Sequence, residues 1–393
     1  MKRVFIYIMC LTALASCTDD SGKEPVGAED YSDGVYVATS KRQAAEGIEP
    51  DSDGFIIIDS FDSQSILYFT QMGASKDPKF INNTTGDPYL YRYQYYQNDQ
   101  ADWNTDYNFK RLPNYEPFKW NTVTEIGSYG NAFHFYAMYF PVDNTPKFYV
   151  QSDQRGPEED PYDTSNFAQS DIMGAYHATS ALFTRMRFNL FHLMVYLKVT
   201  LYVPVVETTQ NDAGQSNYSG FDDGAVQGAY LLGALTDFGI EWRANRSSDV
   251  SAPLTQSTGS KKTIYMYAHE REEGADPITL DVRDFYTGTV IKENELVREY
   301  NFSVLVPNQT FGDNFLCFAL KDIDNQMKYY YFSGSQVVGD KSNYALSQGT
   351  LQELKLYLPR TNNQTILVQA RILPWNDALT EMTVSKQTGN GNE

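Results

Sequence analysis

The chain has 393 residues, room for two ordinary domains that each bury a full core. Its 50 acidic against 31 basic residues give a net charge of −19, so a phosphate backbone would be repelled and nucleic acid is excluded as a partner. Hydrophobic residues at 41% and aromatics at 15% exclude a disordered chain, and 30 tyrosines with 23 phenylalanines favour pleated sheet over helix.

Lys2 and Arg3 precede an apolar run, Val4 to Leu14, and then Ala15-Ser16-Cys17. That is the pattern of a secretory leader, too short to span a bilayer. Leu14-Ala15-Ser16-Cys17 resembles the bacterial lipobox, which implies cleavage after residue 16 and acylation of Cys17 as the first mature residue. An ordinary leader with an incidental cysteine is the other reading. Thr18-Asp19-Asp20 resembles the acidic stretch that sends lipoproteins to the cell surface in Bacteroides-like bacteria. With Cys10 lost in the leader and Cys17 acylated, Cys317 alone remains, and no intramolecular disulfide can form.

Residues 18–34 are acidic and polar and read as a tether. Gly34-Val35-Tyr36-Val37-Ala38 is short and β-prone, and Ser40-Lys41-Arg42-Gln43 follows in what reads as an exposed link open to proteases. Short apolar runs then alternate with turn-rich connectors: Phe55 to Ile58, Ile66 to Phe69, Tyr89 to Tyr95 and Phe133 to Phe140. From Phe191 to Val203 every odd position is apolar and the even positions are mixed, the two-residue period of a strand with one dry face. This stretch is expected to be the central strand of a first β-sandwich, bending near Asn189 to Leu190. The polar run Glu207 to Ser219 suggests a domain boundary. Beyond it the texture repeats, and Leu354, Leu356 and Leu358 alternate into Thr361-Asn362-Asn363 and back through Ile366, Val368, Ala370 and Ile372, which reads as a hairpin. The expected layout is residues 1–16 leader, 17–53 tether with a first strand, 54–206 first sandwich and 207–393 second sandwich.

The chain is poor in catalytic signatures. His134, His177, His192 and His269 each stand alone, without metal-ligand spacing. No Gly-x-Ser-x-Gly or phosphate-cradling glycine loop occurs. Glu158-Glu159-Asp160 between two prolines offers carboxylates for calcium, or simply a solvated loop. No enzyme activity, cofactor or metal is therefore expected. The many tyrosines either stack on sugar rings from a solvent-facing sheet or are half-buried sandwich side chains.

Several stretches together resemble the fimbrillin family of Bacteroides-type bacteria. They are Gly130-Asn131-Ala132-Phe133-His134-Phe135-Tyr136-Ala137-Met138-Tyr139-Phe140-Pro141, Ser170-Asp171-Ile172-Met173, Phe191-His192-Leu193 with Leu197 to Leu201, Gly349-Thr350-Leu351 through Leu356-Tyr357-Leu358-Pro359-Arg360, and Ile372-Leu373-Pro374-Trp375-Asn376. The resemblance implies an all-β chain of two tandem transthyretin-like β-sandwiches, exported as an outer-membrane lipoprotein. It also implies assembly into surface fimbriae by strand exchange, with other fimbrial subunits as partners and a host or microbial surface ligand for adhesion. Lys41 and Arg42 are then the candidate processing site, and Met382 and Val384 mark the candidate donor segment. Only one basic pair is present and the tail after Lys386 is short and polar, which suits a tip, an anchor or a non-polymerising member as well as a shaft subunit. The alternative is a surface glycan-binding lipoprotein of a nutrient-uptake system.

If Cys17 carries the lipid, Cys17→Ala leaves a protein that no acyl chain holds at the membrane. Fractionation of cells expressing this variant should find it outside the membrane fraction, and unchanged membrane association would refute the anchor.

Overall fold

The computed structural model describes residues 36–41, 66–71, 91–95, 109–111, 133–141, 147–179, 185–210, 216–241, 250–251, 253–272, 274–338, 344–360 and 362–375. Among them regular structure is almost entirely strand, and the molecule is an all-β sandwich protein. The first part of the chain supplies β1 (Tyr36–Lys41), β2 (Ile66–Gln71), β3 (Tyr91–Tyr95), β4 (Phe109–Arg111), β5 (Phe133–Tyr139), β6 (Met173–Thr179) and β7 (Arg185–His192). They run in the order β6-β5-β2-β3-β4-β1-β7, and β7 returns to β6 at Met173↔His192 and Gly174↔Phe191, so the sheet closes on itself. Closure removes the unpaired edges that an open sheet would offer to other chains. β5 is buried from Phe135 onward, as its two-sided apolar sequence requires. The expected run from Phe55 to Ile58 lies outside the described residues.

The rest of the chain continues with β8 (Val195–Pro204), β9 (Glu207–Gln210), β10 (Ser216–Ser219), β11 (Val226–Glu241), β12 (Val250–Ser251), β13 (Leu254–Tyr265), β14 (Tyr267–Ala268) and β15 (Ile278–Arg283). It ends with β16 (Val290–Val306), β17 (Gln309–Phe311), β18 (Leu316–Lys321), β19 (Met327–Phe332), β20 (Tyr344–Leu346), β21 (Thr350–Tyr357) and β22 (Ile366–Pro374). One sheet has the order β14-β16-β8-β21-β22 with β15 on β16, and the facing sheet is β13-β11-β18-β19. The chain crosses from one sheet to the other at Met266, between β13 and β14. The expected terminal hairpin is β21–β22, antiparallel from Thr350↔Pro374 to Tyr357↔Ile366.

Two expectations for the Phe191 stretch need correction. Its break falls at Leu193–Met194 rather than at Asn189–Leu190, and its main part, β8, lies in a sheet with β16 and β21 rather than with the strands that precede it. It pairs antiparallel with β16, from Val195↔Val306 to Pro204↔Val297, and parallel with β21, from Tyr196↔Leu351 to Tyr202↔Tyr357. Alternation determines which side chains share a face; it carries no information about which strands lie alongside. The dry odd face is as expected: Val195, Leu197, Val199 and Leu201 are fully buried in the core with Leu354, Leu356 and Phe318.

The even face is buried as well: residues 147–172 form a strap over its Tyr196 end, and Tyr202 at the other end packs with Val282, Val297 and Tyr357. Val150 N donates to Thr236 O, Phe238 N to Phe148 O, Gln154 N to Tyr265 O and Tyr265 N to Ser152 O, all at 2.9–3.0 Å. Gln154, fully buried, accepts from Leu305 N at 2.8 Å and donates to Leu305 O at 2.7 Å, which satisfies both backbone groups of one β16 residue. Phe167, from the single-turn helix α1 (Ser165–Ala168), packs edge-on against Tyr196 at 5.3 Å. Farther along the same face Lys198 Nζ lies 3.5 Å from Glu353 Oε1, and Arg371 Nε lies 2.6 Å from Glu353 Oε2.

Near this ion cluster Ser303 Oγ donates to Tyr196 Oη at 3.1 Å and lies 2.6 Å from His269 Nε2. Burial, reinforced by repulsion from Lys198, pushes His269 down to about 4. A group neutral when folded takes up a proton more readily when unfolded. Its contribution is therefore complete above the ordinary value of 6.5 and lost as pH falls from there toward 4. The loss should amount to roughly 3 kcal/mol. Urea unfolding at neutral and mildly acid pH measures it, and His269→Gln should lose correspondingly less; an equal acid loss in both proteins would assign the effect to other groups.

Candidate assembly site

The candidate site is the seat of β1. Tyr36, Val37, Ala38 and Thr39 are β-branched, aromatic or small, which suits a strand once partners exist on both sides. β7 supplies one partner, in a parallel ladder from Tyr36↔Arg185 to Lys41↔Leu190, and β4 supplies the other at Val37↔Phe109. The contact is lopsided: six register pairs on the β7 side and one on the β4 side. β7 in turn reaches β6 only through its last two residues, so Arg185 to Leu190 have β1 as their named ladder partner. Phe188 and Leu190, fully buried, stand at the register of Thr39 and Lys41. Taking β1 away would thus open the closed sheet between β4 and β7 and uncover a row of backbone donors and acceptors beside a core lined by large apolar side chains.

Of the candidate processing pair, Lys41 is described and lies within a strand. Ser40 and Lys41, read from the sequence as an exposed link, are the last two residues of β1, paired with Asn189 and Leu190. The strand continues past its apolar run to Lys41 because β7 continues to Leu190 and provides ladder partners that propensity cannot reveal. Arg42, the next residue, lies outside the described residues, as do Cys17, Met382 and Val384.

The C-terminal end of β7, two residues past Leu190, carries a contact that the sequence reading missed. His192 Nδ1 lies 2.7 Å from Asp171 Oδ1, with both side chains buried. The imidazole stacks on the Trp375 indole at 3.9 Å and 7°, and Trp375 N donates to Gly349 O at 2.8 Å. The strap, the end of β7 and the end of β22 therefore meet at one buried point. Trp375, which precedes the candidate donor segment in sequence, stacks on the last residue of the strand on which β1 lies. A signal was present: Asp171, His192 and Trp375 all belong to the stretches that carry the fimbrillin resemblance, although nothing in their spacing shows that they touch.

Among the described residues no group of three or more His, Cys, Asp or Glu could hold a metal ion, and Glu158, Glu159 and Asp160 are exposed on the strap. No helix among them is long and apolar enough to cross a membrane.

No protein-family profile matches the chain, and no curated protein matches it significantly. Several solved structures are similar to it. One is named a candidate cell adhesion protein from Bacteroides ovatus, 10% identical, covering 87% of this chain and 97% of that one, with a TM-score of 0.43. A second, from Bacteroides uniformis, has the same description, 10% identity, coverage of 86% and 99%, and a TM-score of 0.41. A third is the tip fimbrial protein Mfa3 of Porphyromonas gingivalis, 10% identical, covering 87% and 99%, with a TM-score of 0.35.

Val37 faces a strand on each side, so its N–H has a ladder acceptor whichever way it points. Val37→Pro should remove that bond and loosen the seat by about 1–3 kcal/mol. Amide exchange across Arg185 to Leu190 should speed up about tenfold or more; unchanged protection there would mean that β1 does not hold β7.

Proposed function

We propose that this protein is a structural or accessory subunit of cell-surface fimbriae, exported as a lipoprotein through Cys17 and assembled by protease-triggered strand exchange in support of adhesion. In this reading it is a structural protein, not an enzyme. The observation that carries the proposal is the seat of β1, the first strand after the tether, inserted between β4 and β7 and ending at Lys41 beside Arg42. A cut there severs the strand from the body while its ladder to β7 still holds it. Loss of the strand exposes a groove that an extended segment of another subunit can fill, recovering both ladder bonds and apolar burial. Repetition of such a head-to-tail contact builds an open filament. The donor in this scheme is the segment through Met382 and Val384. We also propose that the boundary between the two folded parts lies between His192 and Val195 rather than after Val206, since β8 shares its sheet with β16 and β21.

Limited trypsin treatment of the purified protein should yield multimers that persist in mild denaturant. Replacement of both Lys41 and Arg42 by Ala should abolish them while leaving the melting profile unchanged. Stable multimers of the double variant with its N-terminal segment still attached would refute strand exchange at this site.

A further inference from the structure

The outer face of the β13-β11-β18-β19 sheet carries an arrangement that assembly does not use. In register across the four strands run Tyr265, Tyr230, Cys317 and Tyr331, and beside them Gly228, Ala319 and Tyr329. Leu316, Phe318 and Leu320 point into the sandwich core, so Cys317 and Ala319 point outward. Yet Cys317 is 5% exposed and Ala319 is 0% exposed. On an open face such small residues are covered by larger side chains of the adjoining strands. Tyr230 lies over Gly228, where a Cβ would come within 3.1 Å of its hydroxyl and 3.4 Å of its ring, and Tyr265 meets Tyr230 edge-on at 5.3 Å and 77°. Tyr265 at 37% and Tyr329 at 49% exposure reach solvent. By strand spacing the row from Tyr265 to Tyr331 is roughly 14 Å long.

At the Tyr265 end the pavement runs into a cleft of about 560 Å³ between the strap and the sandwich. Its wall includes Asp153, Arg155, Glu158 and Asn166, and its floor Met266 and Phe302. Arg155 lies 4.3 Å above the Tyr265 ring and is gripped by Asp153 through Nε at 2.9 Å and Nη2 at 2.6 Å. Arg155, the cation that lies over the tyrosine row, is thus neutralised in place by its own carboxylate partner and offers little net charge to an anion. The row also lacks Leu, Ile and Val, the side chains that a protein partner would bury.

We propose that this tyrosine pavement and its cleft form a binding site for a neutral oligosaccharide. Apolar sugar faces would stack on Tyr230, Tyr265 and Tyr329, and hydroxyls at one chain end would reach the carboxylates and amide of the cleft. The proposal deepens the adhesive part of the function above and rests on it for its biological meaning, but it uses no residue of the β1 seat.

Affinity electrophoresis of the full mature chain through gels holding a neutral glucan, mannan, galactan or xylan, with dextran sulfate as the charged control, tests it. At least one neutral polysaccharide should retard the protein at low and high salt, and dextran sulfate should not. Tyr265→Ala and Tyr329→Ala should each weaken the retardation about tenfold, Tyr329→Phe should keep it, and Tyr218→Ala, an exposed tyrosine elsewhere, should leave it unchanged. On the unaltered protein the retarding polysaccharide should slow tyrosine-selective chemical modification at Tyr265 and Tyr329, a readout that does not depend on any variant folding. Retardation by none of the neutral polysaccharides, binding abolished by salt, or undiminished modification of the two tyrosines would overturn the site. Trypsin-induced multimers would still form in that event, so the two proposals fail separately.

Discussion

Burial of β8 on both faces is the constraint on which the rest of the molecule depends. One face is apolar and meets the opposite sheet without difficulty. The other presents Tyr196, Lys198 and Thr200, whose polar atoms must find partners once water is removed. Glu353 beside Lys198, Asn301 Oδ1 accepting from Thr200 Oγ1 at 2.7 Å, and Ser303 beside the Tyr196 hydroxyl provide them, all from the strands on either side. That face could not be dry without a cover, and the strap of residues 147–172 is the cover over its Tyr196 end.

The strap also explains how two sheet systems are joined. Its backbone hydrogen bonds run to β11 and β13, Gln154 grips β16, and Asp171 at its end meets His192 of the closed sheet. Trp375 stacks on that histidine from the end of β22. Breaking such a buried pair from one side would leave a polar group without water or partner, at a cost of several kcal/mol. The junction is consequently stiff at its centre, whereas the β1 seat near it is held along one long ladder and one short contact. That contrast in attachment is what makes an exchangeable strand physically reasonable at one place and not at the other.

A second buried ion cluster closes the far end of the sandwich. Glu295, with its carboxylate inaccessible, takes Arg360 Nε at 2.8 Å and Nη2 at 2.7 Å, and Arg360 Nη1 donates to Ser219 O at 2.7 Å. The turn after β21, the β15–β16 hairpin and the β9–β10 hairpin are thereby pinned together. This end is therefore fastened by charge-assisted bonds together with a small apolar cluster of Tyr202, Val282, Val297 and Tyr357.

The sequence by itself determined the class of fold and the burial of individual strands. Alternation from Phe191 to Val203 set the dry face, two-sided apolarity marked β5 as buried, and the alternating runs around Thr361-Asn362-Asn363 specified the final hairpin, because side-chain direction along a strand is a local property with a period of two. Only the tertiary structure decided which strands are neighbours. That β8 belongs with β16 and β21, that Lys41 is laddered to Leu190, that Asp171, His192 and Trp375 meet, and that four tyrosines from β11, β13 and β19 gather beside Gly228, Cys317 and Ala319 all depend on pairings between residues distant in the chain. Backbone hydrogen bonds do not distinguish one apolar strand from another, so those partners are chosen by the packing of the whole molecule.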